Sequence, residues 1–319
     1  LCKGCSRMRL KRLVAEVFGG CNYKCTMCPQ TTPGRDKEFL KVLPLDLFEN
    51  ILDQVEGKPT VLLSGSGEAT LNKDLHKYVK LAADRGMKPI IYTNGLLVKD
   101  DMMMRLFDAG LHLCRFSILG YNRETYKLAM NIDAWDQILD NVNQALFYAG
   151  HERVSSYHLI LDNNNVQEEL RQYLENFVIP FNIQCEIWKM HNWSGNYESS
   201  RTGEPSKCGR PFAPEITIRA GGLGDHKGAV VSCCQTLGPP NEKLSVLGHA
   251  DTETLETIVN SKAAQDLRKA HRTGDWSLAP YCENCDFLLH DPEVLVFTNR
   301  NTKLYQYDET EIDLRGYCE

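Results

Sequence analysis

The chain has 319 residues of ordinary globular composition, 42% hydrophobic and 24% charged, so it is long enough for one large domain and a smaller one. Its net charge of −6 argues against a nucleic-acid partner, which normally binds in a basic groove. The sequence has no signal peptide and no apolar run near the ~20 residues of a membrane helix, so we expect a cytoplasmic protein without a membrane partner. In that setting the 13 cysteines indicate metal or redox chemistry rather than disulfides.

Residues 1–12 form a predicted basic N-terminal arm, and strand and helix patterns alternate from residue 13 onward. Hydrophobic periodicity predicts helices at 45–56, 73–85, 99–109, 134–148 and 167–176. The predicted strands lie at 13–18, 59–63, 88–92, 111–118, 155–161 and 182–190. Repeated strand–helix units of this length predict a parallel sheet with right-handed crossovers. The predicted fold class is therefore α/β, a partial (β/α)6 barrel over residues 13–200.

Three cysteines follow the first predicted strand with the spacing C-x3-C-x2-C, namely Cys21, Cys25 and Cys28. Soft thiolate ligands so close together suit a cubane iron–sulfur cluster. Because only three ligands are present, a fourth iron would stay open to a small molecule. The alternatives are a zinc site completed by a distant histidine, or buried thiols that act as small hydrophobic side chains.

Polar residues and glycines also follow the later predicted strands, where α/β folds place their ligands. The segment from Ser64 to Glu68 has two glycines that allow close approach of the backbone, followed by a carboxylate. Asn94 and Ser117 end the third and fourth strands, and Asn164 lies in an asparagine run that is also typical of a turn. Trp193 follows the sixth strand, where it either lines a pocket or closes the barrel mouth.

Residues 201–319 form a predicted C-terminal extension with a hairpin at 215–219 and 229–232, a helix within 252–271 and a terminal hairpin at 294–298 and 303–307. Its cysteines are Cys208, Cys233, Cys234, Cys282 and Cys285. Four thiolates from a hairpin and a C-x2-C knuckle suit either a [4Fe-4S] cluster or zinc. Their spacing alone does not decide between the two.

The cysteine trio and the strand-end residues together resemble the radical S-adenosylmethionine superfamily. The resemblance implies a [4Fe-4S] cluster on Cys21, Cys25 and Cys28 whose open iron chelates S-adenosylmethionine. In that family one electron cleaves the cofactor to methionine and a 5′-deoxyadenosyl radical, which abstracts hydrogen from the substrate. The resemblance also implies a partner that supplies this electron, such as flavodoxin or ferredoxin.

The resemblance implies cofactor contacts at matching positions. Met27 stands at the usually aromatic position near the adenine. Gly65, Ser66, Gly67 and Glu68 resemble the Gly-Gly-Glu segment that grips the methionine amino group. The strand-end residues match positions near the ribose, the carboxylate or the adenine, and these are Asn94, Ser117, Asn164 and Trp193.

The C-terminal extension is similar to the SPASM and Twitch extensions of that superfamily, which hold auxiliary [4Fe-4S] clusters. Cys208, the Gly-x4-Cys segment from Gly228 to Cys233, and Cys282 with Cys285 carry this similarity. The full SPASM pattern adds cysteines soon after the C-x2-C, so a single Twitch-like cluster is the better match. Gly-x4-Cys favours Cys233 as the ligand, with Cys234 as the alternative.

We therefore expect a radical S-adenosylmethionine enzyme that oxidises or epimerises a small polar substrate, such as a sugar or cyclitol. Modification of a ribosomal peptide by crosslinking or epimerisation is the main alternative, and a structural iron–sulfur or zinc protein without catalysis is another. If the reaction quenches a substrate radical, the hydrogen donor is expected among Cys114, Cys185 and Cys318. Burial in the core is the other interpretation of Cys114 and Cys185, which lie in predicted strands.

Overall fold

The computed structural model describes residues 7–35, 37–162, 164–199, 203, 206–289, 294–297, 304–307 and 310–313. The first half of the predicted N-terminal arm and the predicted hydrogen donor Cys318 lie outside these residues. Among the described residues, no helix combines the length and the apolar character of a membrane span.

One ten-stranded sheet forms the centre of the molecule. In chain order its strands are β1 Arg12–Ala15, β2 Thr60–Leu62, β3 Lys88–Thr93, β4 Leu113–Ser117, β5 Val154–Ile160, β6 Gln184–Lys189, β7 Glu215–Ile218, β8 Ala229–Val231, β9 Val246–His249 and β10 Val294–Phe297. In space they follow the order β9-β8-β7-β1-β2-β3-β4-β5-β6-β10.

Strands β1 to β6 are neighbours in chain order and are all parallel. Leu13 lies opposite Val61, and Ile91 lies opposite Cys114, and all four side chains are fully buried. Apolar residues at such positions are typical of parallel strands that are covered on both faces. The mixed α/β fold with six parallel strands is confirmed, and all six strands end at the same edge of the sheet.

Helices connect the successive parallel strands. They are α1 Leu45–Asp53, α2 Leu75–Asp84, α3 Asp100–Asp108, α4 Arg123–Met130, α5 Trp135–Ala149 and α6 Val166–Tyr173, which continues through a π-helical turn at Leu174–Val178 into α7 Ile179–Phe181. The sequence predicted all of these regions except α4 and the short α7. Helix α4 is capped by Asn122, whose Oδ1 accepts a hydrogen bond from Thr125 N at 2.9 Å. The predicted helix at 45–56 was too long, because Val55–Glu56 pairs with Met8–Arg9 instead.

The C-terminal extension continues the sheet at both of its edges. The predicted hairpin is confirmed as antiparallel β7 and β8, but β7 also pairs in parallel with β1, placing Ile216 opposite Leu13. At the far edge β10 pairs antiparallel with β6. The predicted terminal hairpin was wrong in its pairing, because Leu304–Tyr307 pairs with Thr310–Asp313. The predicted domain limits at 12–13 and 200–201 stay predictions.

The remaining helices of the extension are α8 Asn241–Leu244, α9 Leu255–Val259 and α10 Lys262–Thr273. The single helix predicted within 252–271 is divided, because Ser261 Oγ caps a new helix by accepting from Ala264 N at 3.3 Å. Helix α10 ends at Gly274, whose φ of 78° is the left-handed conformation that stops a helix.

Candidate active site

The loop that carries Cys21, Cys25 and Cys28 follows β1 and is held by helix α4. Thr26 N and Thr26 Oγ1 both donate to Ala129 O, at 2.9 and 3.2 Å. The hydroxyls of Tyr23 and Tyr126 lie 3.1 Å apart. The helix that the sequence prediction omitted therefore anchors the cysteine loop.

The three thiols of this loop are half-buried and close together. Burial raises the pKa of Cys21 to about 11 and also raises the pKa values of Cys25 and Cys28. Charge on Cys28 raises the pKa values of the other two further. Within the described residues, no three histidine, cysteine or acidic side chains converge on one ion as zinc ligands do. Three neighbouring thiols on one loop fit three corners of an iron–sulfur cluster.

The carboxylate of Glu68 lies buried beneath the cysteine loop and organises the ends of β2 and β3. Its Oε1 accepts from Thr70 N, Thr70 Oγ1 and Thr93 Oγ1 at 3.0, 2.7 and 2.8 Å. Its Oε2 accepts from Asn94 N at 2.7 Å. Asn94 in turn donates from Nδ2 to Asn22 Oδ1 at 2.8 Å, inside the cysteine loop. These contacts hold the strand ends in place, and a direct contact of Glu68 with the cofactor stays a prediction.

The two glycines of the same segment allow parts of the protein to approach one another. A Cβ added at Gly65 would clash with the Glu16 carboxylate, and one added at Gly67 would clash with the carbonyl oxygen of Phe18. Gly65 also lines the cavity described below. The sequence prediction invoked approach to a ligand, and the structure adds this internal packing reason for both glycines.

Sequence reasoning missed a buried charged network beside the same segment. Glu16 Oε2 accepts from Ser66 N at 2.6 Å, and Glu16 Oε1 accepts from Arg219 Nε at 3.1 Å. Arg219 Nη2 donates to Ser66 Oγ at 2.6 Å and to Glu242 Oε1 at 2.7 Å. Arg35 Nη2 donates to the same two oxygens at 2.8 and 3.2 Å. The network joins β1, the Ser66 segment, the end of β7 and helix α8.

The charges of this network balance one another in the interior. Burial alone would raise the pKa of the Glu16 carboxyl, but Arg219, Ser66 and Arg35 together hold that pKa below its ordinary value. Glu16 and Arg219 are each only 1% exposed. The available sequence signal was a charged residue within or at the end of an otherwise apolar strand, since charged residues are rarely buried without a partner.

A cavity of about 290 Å³ lies at the ends of the parallel strands and reaches the C-terminal extension. Four predicted cofactor-binding residues line it, namely Gly65, Ser66, Ser117 and Trp193. Aromatic and acidic side chains from the strands line it as well, and these are Tyr92, Tyr157, Trp188 and Glu186. The extension contributes Arg210, Arg219, Cys234 and Gln235. The strand ends and the extension thus share one cavity.

Trp193 connects this cavity to the cysteine loop. Its indole Nε1 donates to Met27 O at 3.0 Å, and the Met27 side chain is buried. Trp193 and Ser194 have φ values of 49° and 59°, a left-handed conformation that non-glycine residues rarely adopt and that clusters at functional sites. Asn164 lies apart in an exposed turn, where its N–H donates to Asp162 Oδ1 at 3.0 Å.

A second, smaller cavity brings together four of the cysteines of the extension, namely Cys208, Cys233, Cys282 and Cys285. Burial raises the pKa of Cys282 to about 12 and that of Cys285 to about 11. His271 also lines this cavity, is 2% exposed, and has no hydrogen-bond partner within the described residues at either ring nitrogen. Four thiols and an unsatisfied imidazole fit an auxiliary iron–sulfur cluster with a hydrogen-bond donor beside it.

The adjacent cysteines of the extension contact different spaces. Cys233 lines the small cavity and Cys234 lines the 290 Å³ cavity. A hydrogen bond between the two thiols raises the pKa of Cys233 and lowers that of Cys234. Iron ligation by Cys233 would remove the proton of that hydrogen bond. The position of each side chain favours Cys233 as the auxiliary ligand.

Two of the three predicted hydrogen donors lie in the core. Cys114 in β4 and Cys185 in β6 are 0% and 2% exposed, which supports the packing interpretation. Asn192, which follows β6, binds the extension, since its N–H donates to Asp286 Oδ2 at 2.9 Å and its Nδ2 donates to Asn284 O at 2.7 Å. These bonds fix the C-x2-C knuckle against the end of β6.

Several solved structures share the fold of this chain over most of its length. BtrN in complex with AdoMet and 2-DOIA superposes with a TM-score of 0.60, covering 87% of this chain and 93% of BtrN at 17% identity. SuiB of Streptococcus suis bound to its precursor peptide SuiA superposes with a TM-score of 0.63, covering 88% of this chain and 70% of SuiB at 14% identity. Identities this low show the shared fold alone.

Curated relatives are similar over shorter stretches. An uncharacterised protein of Methanocaldococcus jannaschii is 28% identical over 163 residues, which are 51% of this chain and 52% of that protein. Fe-coproporphyrin III synthase of Methanosarcina barkeri is 32% identical over 121 residues, 37% of this chain and 30% of the synthase. The chain thus matches about half or less of the length of these relatives.

Two family models match the chain. One, described as an iron–sulfur cluster-binding domain of the SPASM type, covers residues 225–286. The other, the radical SAM superfamily, covers residues 15–174 and therefore the cysteine trio and strands β2 to β5. The two matches imply three kinds of cofactor, as the sequence predicted: S-adenosylmethionine, the [4Fe-4S] cluster that binds it, and auxiliary iron–sulfur clusters. The chain belongs to the radical SAM superfamily and carries a SPASM-type cluster domain.

Proposed function

We propose that this enzyme abstracts a hydrogen atom from a small polar substrate in the 290 Å³ cavity, leading to oxidation or epimerisation. The observation that carries the proposal is the shared lining of that cavity. Ser66, Ser117 and Trp193, which match cofactor positions, lie on the same space as Arg210 and Cys234 of the extension. A cofactor and a substrate that react must share one enclosed space.

Cys21, Cys25 and Cys28 would hold the cluster that binds S-adenosylmethionine, and Cys208, Cys233, Cys282 and Cys285 would hold a single auxiliary [4Fe-4S] cluster. When bound and reduced by a donor such as flavodoxin or ferredoxin, the first cluster and its cofactor supply a 5′-deoxyadenosyl radical. The chain's own contribution is to position the reactants and exclude water. The contact from Trp193 Nε1 to Met27 O joins the wall of the cavity to the cysteine loop.

The size and lining of the cavity support a small substrate. About 290 Å³ is near the lower limit for ligand sites, and the cofactor would occupy part of it. Tyr92 and Tyr157 supply aromatic surface, and Glu186 supplies a carboxylate that also accepts from Trp188 Nε1 at 2.6 Å. Hydroxyl or amino groups of a sugar or cyclitol suit this combination. The likeness to BtrN bound to 2-DOIA extends over nearly the whole of that chain, which supports the same direction.

Anaerobic reconstitution with iron and sulfide tests the proposal, followed by reduction in S-adenosylmethionine and chromatography for 5′-deoxyadenosine. We expect about eight irons per chain and 5′-deoxyadenosine from the wild type. Cys28→Ala should keep about four irons and form no 5′-deoxyadenosine, because it loses one of three cluster ligands. Cys185→Ala, which removes a core thiol, is the matched control. It should keep about eight irons and form 5′-deoxyadenosine as the wild type does. Equal 5′-deoxyadenosine from Cys28→Ala and the wild type would contradict the assignment.

A further inference from the structure

The chain has one more cysteine at the auxiliary site than a four-thiolate cluster needs. Cys233 lines the small cavity together with Cys208, Cys282 and Cys285. Its neighbour Cys234 lines the 290 Å³ cavity instead. The second thiol of the pair is therefore available to the space that the substrate would occupy.

The surroundings of Cys234 indicate a polar ligand beside it. Gln235 Nε2 lies 3.8 Å from Cys234 Sγ, and Gln235 Oε1 has no hydrogen-bond partner within the described residues although the residue is only 8% exposed. Arg219 Nη1 is likewise buried without a partner in the described part of the chain. Both side chains line the cavity. Buried polar atoms without partners are costly, so a ligand that completes them is expected.

We propose that Cys234 is the hydrogen-atom donor that quenches the substrate radical. This inference rests on the proposed function and selects epimerisation from its two outcomes. The S–H bond of Cys234 breaks homolytically, and its hydrogen forms a new C–H bond on the substrate carbon. The thiyl radical left on Cys234 is reduced back to the thiol by one electron from a flavodoxin- or ferredoxin-class reductant and one proton from solvent. One C–H bond of the substrate is broken and one is formed, so the substrate is neither oxidised nor reduced.

Iron content and alkylation test which cysteine is the ligand, independently of turnover. We expect the reconstituted Cys234→Ala variant to keep about eight irons and Cys233→Ala to keep about four. In the reconstituted wild type, iodoacetamide should modify Cys234 and leave Cys233 unmodified, as read by peptide mass spectrometry. Loss of half the iron from Cys234→Ala, with full iron in Cys233→Ala, would assign Cys234 as the ligand and overturn the proposal.

Cleavage of S-adenosylmethionine in D₂O, without substrate, tests the hydrogen donation itself. The Cys234 thiol then carries an exchangeable deuterium that the 5′-deoxyadenosyl radical can abstract. Reduced wild type with S-adenosylmethionine should form singly deuterated 5′-deoxyadenosine. The labelled fraction should fall severalfold in Cys234→Ala and in Cys234→Ser, which preserves the size of the side chain, and stay at the wild-type level in Cys185→Ala. An unchanged labelled fraction in both Cys234 variants overturns the donor role alone. Absence of 5′-deoxyadenosine from iron-loaded wild type overturns the proposed function as well.

Discussion

The buried carboxylate of Glu68 matters through the groups that donate to it. Both oxygens accept from backbone N–H groups, Oε1 from Thr70 and Oε2 from Asn94, at 3.0 and 2.7 Å. In Glu68→Gln the new amide NH₂ must face one of these donors, which costs about 1–3 kcal/mol of unfolding free energy. Anaerobic urea unfolding should show this loss, whereas Glu56→Gln, at an exposed site, should not. If Glu68→Gln instead kept its stability but bound S-adenosylmethionine weakly, Glu68 would act through a direct cofactor contact and not through the fold.

His271 lines the cavity of the four proposed cluster ligands, so it would act on an auxiliary cluster there without being a ligand. Burial lowers the pKa of its imidazole, so the ring is neutral near pH 7 and has one N–H to donate. In His271→Leu we expect a more negative reduction potential and roughly 10- to 100-fold weaker retention of the auxiliary iron, as is typical when an outer-shell hydrogen bond is lost. Potentiometric titration followed by electron paramagnetic resonance measures the first, and chelator challenge measures the second. His226→Leu, an exposed change in the same extension, should shift neither.

At the scale of elements, the sequence predicted what depends on local pattern. The six parallel strands and five of their helices have strong apolar periodicity, and the C-x3-C-x2-C spacing lies within eight residues. Helix α4 was missed because its start signal, the Asn122 and Thr125 capping pair, belongs to a helix of only 8 residues, too short for clear apolar periodicity. The pairing of β7 with β1 was missed because it joins residues about 200 positions apart. Local periodicity contains no information about which distant strands become neighbours.

The same distinction applies to the candidate site. Cysteines and glycine segments were identifiable because their spacing has chemical meaning within a short window. The cavity walls formed by Tyr92, Tyr157 and Glu186 were missed, since each is a single residue within a strand and only the folded sheet brings them together. Whether Cys233 or Cys234 faces the auxiliary cavity was likewise open, because adjacent residues differ only in the direction of their side chains.

At the scale of the whole molecule, the extension is part of the same sheet as the cofactor-binding strands. Strand β1 lies between β2 and β7, so the cysteine loop begins at a strand that is paired on one side by the extension. The buried network adds a second connection, because Arg219 of the extension neutralises Glu16 beside the Ser66 segment. We infer that the extension supports the geometry of the cofactor site in addition to holding its own cluster.

Two arginines that bridge β1 and β7 make this inference testable. Arg219 contacts Glu16 and is 1% exposed, whereas Arg12 donates to Glu215 at 2.6 Å with a side chain that is 48% exposed. Arg219→Met leaves the buried Glu16 carboxylate without its arginine, although Glu242 keeps Arg35, so we expect a loss of about 3–5 kcal/mol in unfolding free energy. Arg12→Met removes a solvent-screened pair and should cost about 0–1 kcal/mol.

Calorimetry of S-adenosylmethionine binding to the reconstituted proteins completes the comparison. Because Arg219 also donates to Ser66 Oγ at 2.6 Å, its loss frees the segment that matches the cofactor-binding position. Arg219→Met should therefore bind S-adenosylmethionine more weakly even at temperatures where it remains folded. Arg12→Met should weaken binding less, because Arg12 also lines the cavity but pairs with Glu215 instead of Ser66. Equal affinities in the two variants would restrict the network to a role in stability, and the extension would then influence the cofactor site only through the sheet.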